Sequence, residues 1–280
     1  MIKIVAVFDG LKFSNSTLEY AIHLCKQQST HLVAVFLDDF TYHSYRVYPD
    51  LMKDPQPAEK QAQLEQKDAD TRKASRAIVE KACHENRISY SIHIDKSIAY
   101  QELIHETIYA DLAIIGFQET FSRYPSEHKP PAFIRDLLVH TQCPLLLVPP
   151  VYHPIEKTCF LFNGQPSSVY ALKQYNYLIG SVHVLPVEVI TVKDDDASNH
   201  LPDDHLLKEL LKRHYKQVDY TLLKGLIAEV EIIDHLKTRK DHPLIVLGAY
   251  QRGMVSRWFR PSMADELIKE LNIPIFVAHN

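Results

Sequence analysis

The chain repeats itself, and that repeat constrains its fold more than any single motif. Near the start, IKIVAVFDGLKFSNSTLEYAIHL runs in step with EKTCFLFNGQPSSVYALKQYNYL after the midpoint. Each is an apolar run, an acid or amide followed by glycine, a serine (Ser14, Ser168), and then a helical period. Further on, ELIHETIYADLAIIGF matches EIIDHLKTRKDHPLIVLGAY, and HTQCPLLLVPP matches ELNIPIFVAHN. The same segments recur in the same order, which reads as a tandem duplication. A length of 280 residues has room for about two ordinary domains, each with its own core.

Apolar runs without alternation, separated by helical periods, indicate a parallel sheet covered by helices on both faces. In the first half the spacing predicts strands over 2–8, 31–37, 88–94, 111–115 and 144–148, with helices over 14–28, 58–86, 98–109 and 132–141. In the second half it predicts strands over 158–162, 184–192, 217–223, 243–247 and 273–277, with helices over 167–179, 203–214, 226–239 and 262–271. Each half is therefore expected to be a doubly wound α/β domain. Pro149, Pro150 and Pro154 mark the junction, so the expected domains are 1–150 and 151–280. The connection 40–57 carries four Tyr or Phe residues and three prolines. Its aromatics either line a pocket or partner surface or pin the loop onto its own domain. The helix after it is charged on most faces, and its expected apolar stripe is Leu64, Ala74, Ala77, Ile78 and Ala82.

Charge and motif content narrow the function. A net charge of -4 and a pI near 6.5 argue against a nucleic-acid partner, because phosphate neutralisation needs a basic face. Asp9 interrupts the apolar start MIKIVAVFDG, which reads as a strand and not a signal peptide. No run approaches the ~20 apolar residues of a membrane span. A cytoplasmic protein is expected. Cys25, Cys83, Cys143 and Cys159 are scattered without a CxxC pair and read as buried reduced thiols. The motifs of adenylyl transfer, amide-forming adenylation, P-loop hydrolysis and the nucleophile elbow are all absent, so enzymatic turnover is not expected. VKDDDASNHLPDDH, residues 192–205, lacks metal-ligand spacing and reads as a solvated loop that also caps the helix starting near Asp203. His105-Glu106 lacks the second His of HExxH, and no metal site is expected.

Glycine placement points to one edge of each sheet. The chain has only seven glycines where average usage gives roughly twenty. Gly10, Gly116, Gly164, Gly248 and Gly253 all sit at or just beyond the expected ends of the first and fourth strands of each half. That edge is the topological switch point, where open α/β sheets bind ligands. Glycine there either lets a backbone approach a ligand or only permits the turn.

The series Asp9-Gly10, Ser14, Thr17-Leu18, its repeat Asn163-Gly164, Ser168, Ala171-Leu172, and the closing LIVLG, helix, N-I-P-I-F-V-A resemble the universal stress protein family, as a tandem two-domain member. The resemblance implies two five-stranded parallel sheets of order 3-2-1-4-5 that pair through their last strands as an intramolecular pseudo-dimer. Many members hold ATP through G-x2-G-x9-G-(S/T) after the fourth strand, with an Asp ending the first strand near the adenine. Carried onto the second half, the pattern falls on Gly248, Gln251, Pro261 and Ser262, so the spacing is intact and two glycines are missing. Gly253 supplies flexibility nearby, and Arg252, Arg257 and Arg260 either bind phosphate or form a solvated basic loop. Asn163 stands at the Asp position. The first half keeps Asp9 and Gly116 but has Pro131-Ala132 at the Gly-Ser position, so no ATP is expected there. The resemblance thus implies a non-enzymatic stress-response regulator, with ATP or another nucleotide bound in the second domain around Asn163, Gly164, Gly248, Gln251, Arg252, Gly253 and Ser262. The alternative is a protein-interaction scaffold with both pockets collapsed. A protein partner and a further homodimer stay open.

Overall fold

The computed structural model describes residues 1–27, 30–38, 57–95, 98–121, 128–179, 185–194, 201–249 and 263–279. The chain divides into two compact units, Met1–Gln142 and Cys143–Asn280.

The first unit runs β1 (Ile2–Asp9), α1 (Asn15–Gln27), β2 (Thr30–Leu37), α2 (Pro57–Glu85), β3 (Ser89–Asp95), α3 (Ala99–Ile108), β4 (Leu112–Gly116) and α4 (Ala132–His140). Its strands lie in the order β3-β2-β1-β4, all parallel, with Val5 opposite both Val33 and Ala113. Every residue of β4 is buried, as is β1 from Ile4 onward, which accounts for apolar runs without alternation. Right-handed crossovers that step one way from β1 through β3 and then return to β4 carry helices onto opposite faces and leave a switch point between β1 and β4.

Helix α2 docks differently from the expected stripe. Ala74, Ala77 and Ile78 are exposed, and the buried residues are Asp68, Ser75, Val79 and Cys83. The helix is anchored partly by polar contacts: the Ser75 hydroxyl donates to the Gly10 carbonyl (2.8 Å), and Arg72 pairs with Asp38 (2.7 Å). A hydropathy pattern does not register contacts of this kind.

The second unit runs β5 (Leu145–Val148), β6 (Lys157–Leu161), α5 (Pro166–Leu178), β7 (Val187–Lys193), α6 (Asp204–His214), β8 (Val218–Lys224), α7 (Ala228–Lys237), β9 (Pro243–Ala249), α8 (Met263–Glu270) and β10 (Ile275–His279). The strands β8-β7-β6-β9-β10 are parallel neighbours in that order, which is 3-2-1-4-5 counted within the repeat. β5 ends the first copy of the repeat in sequence, yet it pairs antiparallel with β10, Leu146 opposite Phe276. The packing boundary therefore falls before β5, while the repeat boundary falls after it. The pairing of last strands that the resemblance implies is present.

Aromatic packing fills this core. The buried Tyr175 ring stands edge-on to Phe160 (5.5 Å) and Phe276 (5.6 Å), and its hydroxyl is satisfied by Thr158 Oγ1 at 2.8 Å. Pro166 opens α5, where a missing N–H costs nothing. Asp203 precedes α6 in a left-handed conformation (φ 44°) and makes no side-chain cap, unlike the expected capping role.

Candidate functional site

In each unit the switch point lies between the first and fourth strands of the repeat, at their carboxyl ends. In the first unit this rim is formed by Asp9, which ends β1, and Gly116, which ends β4. Asp9 is buried, and its Oδ1 accepts from the N–H groups of Leu11 (2.8 Å) and Lys12 (3.3 Å), tying the β1–α1 loop into a turn. Burial raises the Asp9 carboxyl above its usual range, against the opposing pull of those two N–H groups and of the Lys12 and Arg72 charges. At the start of α1, the Ser14 hydroxyl caps the helix by accepting from the Thr17 N–H (3.2 Å).

The sequence reading missed Glu119, which faces this same rim. A Cβ placed on Gly116 would lie 3.3 Å from Glu119 Oε1 and 3.6 Å from Thr17 Oγ1. Burial first, then the Asp9 carboxylate, push the Glu119 carboxyl up to about 8, while Lys12 pulls it down. The signal available was an acid three residues past the strand-end glycine, within a loop of irregular pattern. Two carboxyl groups, those of Asp9 and Glu119, thus share this rim.

The second rim is built from the same repeat and carries different groups. Asn163 is exposed, and its Oδ1 accepts from the Gln165 N–H (3.0 Å), reproducing the Asp9 turn without its charge. Gly164 is left-handed (φ 79°), and a side chain there would strike Pro202 at 2.6 Å. Gly248 lies inside β9, one residue before its end, under the first turn of α5. A Cβ on Gly248 would meet the Ser167 carbonyl oxygen at 2.2 Å and the Ser168 nitrogen at 2.8 Å. Gly248 thus has a packing reason of its own: helix backbone lies directly on strand backbone. The rim presents α5's N-terminus, whose preceding Gln165 makes no side-chain cap, and the adjacent open groove is lined by Pro166, Tyr170, Lys173 and Asp203. An anion fits this described half of the rim electrostatically. Gln251, Arg252, Gly253, Arg257, Arg260, Pro261 and Ser262 lie outside the described residues.

A second polar cluster, also missed, sits toward the opposite, amino-terminal edge of the second sheet. Glu188 on β7 is buried and held by Arg239 (2.5 Å), Thr221 Oγ1 (2.5 Å), Lys157 (3.0 Å) and His235 (3.2 Å). Burial alone would raise its carboxyl, but the hydrogen bonds from Thr221, Arg239 and Lys157 outweigh it and bring the group down to about 2. Arg239 also forks onto Asp241. The first unit has a smaller counterpart in Glu106, bound by His93 (2.6 Å) and Lys3 (3.5 Å). Away from the ligand edge, these clusters tie helices α7 and α3 to their sheets. Among the described residues, no group of three His, Cys, Asp or Glu is placed to hold a metal ion, and no helix is long and apolar enough to cross a membrane. All four cysteines are buried, and none is in a disulfide.

No known family model matches the chain, and no curated protein does. Among solved structures the chain is similar over its whole length to a universal stress protein from Archaeoglobus fulgidus DSM 4304, with 14% identity, 99% of this chain and 98% of that one covered, and a TM-score of 0.64. It is similar as well to a functionally unknown protein from Pseudomonas aeruginosa PAO1 (15% identity, 100% and 92% covered, TM-score 0.61). A third likeness is to a Pseudomonas aeruginosa UCBPP-PA14 protein provisionally named a universal stress protein (14% identity, 100% and 93% covered, TM-score 0.60). At these identities the likeness is one of fold.

Proposed function

We propose that the chain is a tandem universal stress protein, a cytoplasmic, non-enzymatic regulator built from modules 1–150 and 151–280, with ATP held in the second module alone. The observation that carries this reading is the full-length likeness in fold to the Archaeoglobus fulgidus universal stress protein. The choice of module is supported by the two rims. One presents the paired carboxyl groups of Asp9 and Glu119, and the other a neutral Asn163 beside an uncapped helix N-terminus. The phosphate-binding role falls to backbone near Gly248 and Gly253, the Ser262 hydroxyl, and Arg252 with its neighbouring arginines. Isothermal titration of the full chain with Mg-ATP tests it. One site per chain is expected, weakened by about one to two decades in Ser262→Ala, since a hydrogen bond to a charged group contributes ~1.5–3 kcal/mol. No heat at near-millimolar ATP removes the ligand.

One observation favours a second reading, a protein-interaction scaffold with both pockets collapsed. The backbone of Ser167 and Ser168 already covers Gly248, so that glycine is accounted for without a ligand. An absence of heat with wild type and with Ser262→Ala alike selects this reading.

A further inference from the structure

The rim of the first unit is covered by a group from its own chain. The Glu119 N–H donates to the Gly116 carbonyl (3.0 Å), closing a turn that folds the chain back over the end of β4. Two residues later, Phe121 takes a left-handed backbone (φ 45°) and buries its ring against Phe133 of α4, centroids 4.7 Å apart. A bulky residue holds that conformation only where packing enforces it. The short segment bearing Glu119 is therefore fixed on both sides, and its carboxyl is delivered over Gly116.

The charges facing it come from the elements around the rim. Asp9, at the end of β1, repels an ionised Glu119, and Lys12, in the following loop, attracts it. Arg72 of α2 faces Asp9 and is itself engaged by Asp38. With its carboxyl pushed up to about 8, mainly by burial and then by Asp9, Glu119 carries its proton at neutral pH. Glu119 is half-buried, so the residue is not sealed from solvent.

We propose that Glu119 is a proton-operated plug: its neutral carboxyl covers the strand-end glycine, and in alkaline solution it gives its proton to solvent and, repelled by Asp9, swings outward to uncover Gly116. This inference concerns the first unit and does not rest on ATP binding in the second.

The test is NMR of the full, isotopically labelled chain with a neutral, soluble gadolinium chelate as the probe of exposure, read at the Gly116 Hα protons. Between about pH 7 and about pH 9.5 the relaxation enhancement at Gly116 is expected to rise several-fold, with the same midpoint as the Glu119 carboxyl carbon. Glu119→Gln is expected to stay covered across the range, and Asp9→Asn to shift the Glu119 midpoint downward. A Glu119 midpoint near the ordinary 4.5, or a Gly116 equally shielded at both ends of the range, overturns the proposal.

Discussion

Two glutamates, the half-buried Glu119 of the first unit and the buried Glu188 of the second, are shifted in opposite directions. Glu119 at the first rim is pushed up to about 8, and Glu188 within the second sheet is drawn down to about 2. Burial raises both. Glu119 then faces another carboxylate with one lysine in opposition, while Glu188 receives direct hydrogen bonds from a threonine, an arginine and a lysine. Partner geometry, more than depth, sets the sign. The same contrast separates the rims, where a repeated turn is closed by a buried acid in one copy and an exposed amide in the other. Duplication preserves the backbone device and leaves the charge free to diverge.

The most severe way to break this comparison is Glu188→Ala. It strands Arg239 and Lys157 without their shared partner, and a loss of about 3–5 kcal/mol is expected in urea denaturation. A loss below about 1 kcal/mol, the scale of an exposed pair, contradicts the buried cluster. Next comes Gly248→Ala, whose Cβ falls 2.2 Å from the Ser167 oxygen, a backbone atom that cannot turn aside. A cost of about 1–3 kcal/mol or more is expected, as for overpacking in a tight core. The matching Gly116→Ala meets the far end of the Glu119 side chain at 3.3 Å and Thr17 Oγ1 at an ordinary 3.6 Å, with no backbone atom as close. It should lie within about 1 kcal/mol of wild type, because strain is offset by the lower entropy of the unfolded chain. Equal costs at the two glycines dissolve the distinction between the rims.

Opposite pH windows sharpen the comparison further. Glu119 has a folded value above its unfolded 4.5, so the folded protein holds a proton the unfolded chain has released, and stability falls as pH rises from 4.5 to about 8. Glu188 has a folded value below 4.5, so its contribution is complete above that pH and is lost as pH falls toward 2. Denaturation across the range should show Glu119→Gln flattening the fall between about pH 4.5 and 8 and Glu188→Gln flattening the loss below pH 4.5. Exchanged or absent effects would refute the assignment of partners.

The sequence made legible what depends on period and repetition. Unalternated runs at β1, β4 and β9 marked a parallel sheet, and the twice-seen acid-or-amide, glycine, serine series marked the rim, because strand burial and turn chemistry leave local signatures. Contacts between distant residues were hidden. Glu119 gains its meaning only beside Asp9, Glu188 only beside Arg239, and Gly248 only beneath Ser167. The α2 stripe was misread for the same reason: Ser75 is buried because it reaches the Gly10 carbonyl, a bond that no hydropathy pattern encodes. The pairing of β5 with β10, at the far end of the chain, was legible only through the family resemblance and not through any local pattern.

The central claim is that copies of one module have diverged into an acid-filled rim and an anion-accepting one. A Mg-ATP titration of the labelled chain, followed at the backbone amides, addresses it directly. The account predicts saturable shifts at Gly164 and Gly248 with Gly10 and Gly116 unmoved. Shifts at Gly10 and Gly116, or none at any of the four, would contradict it.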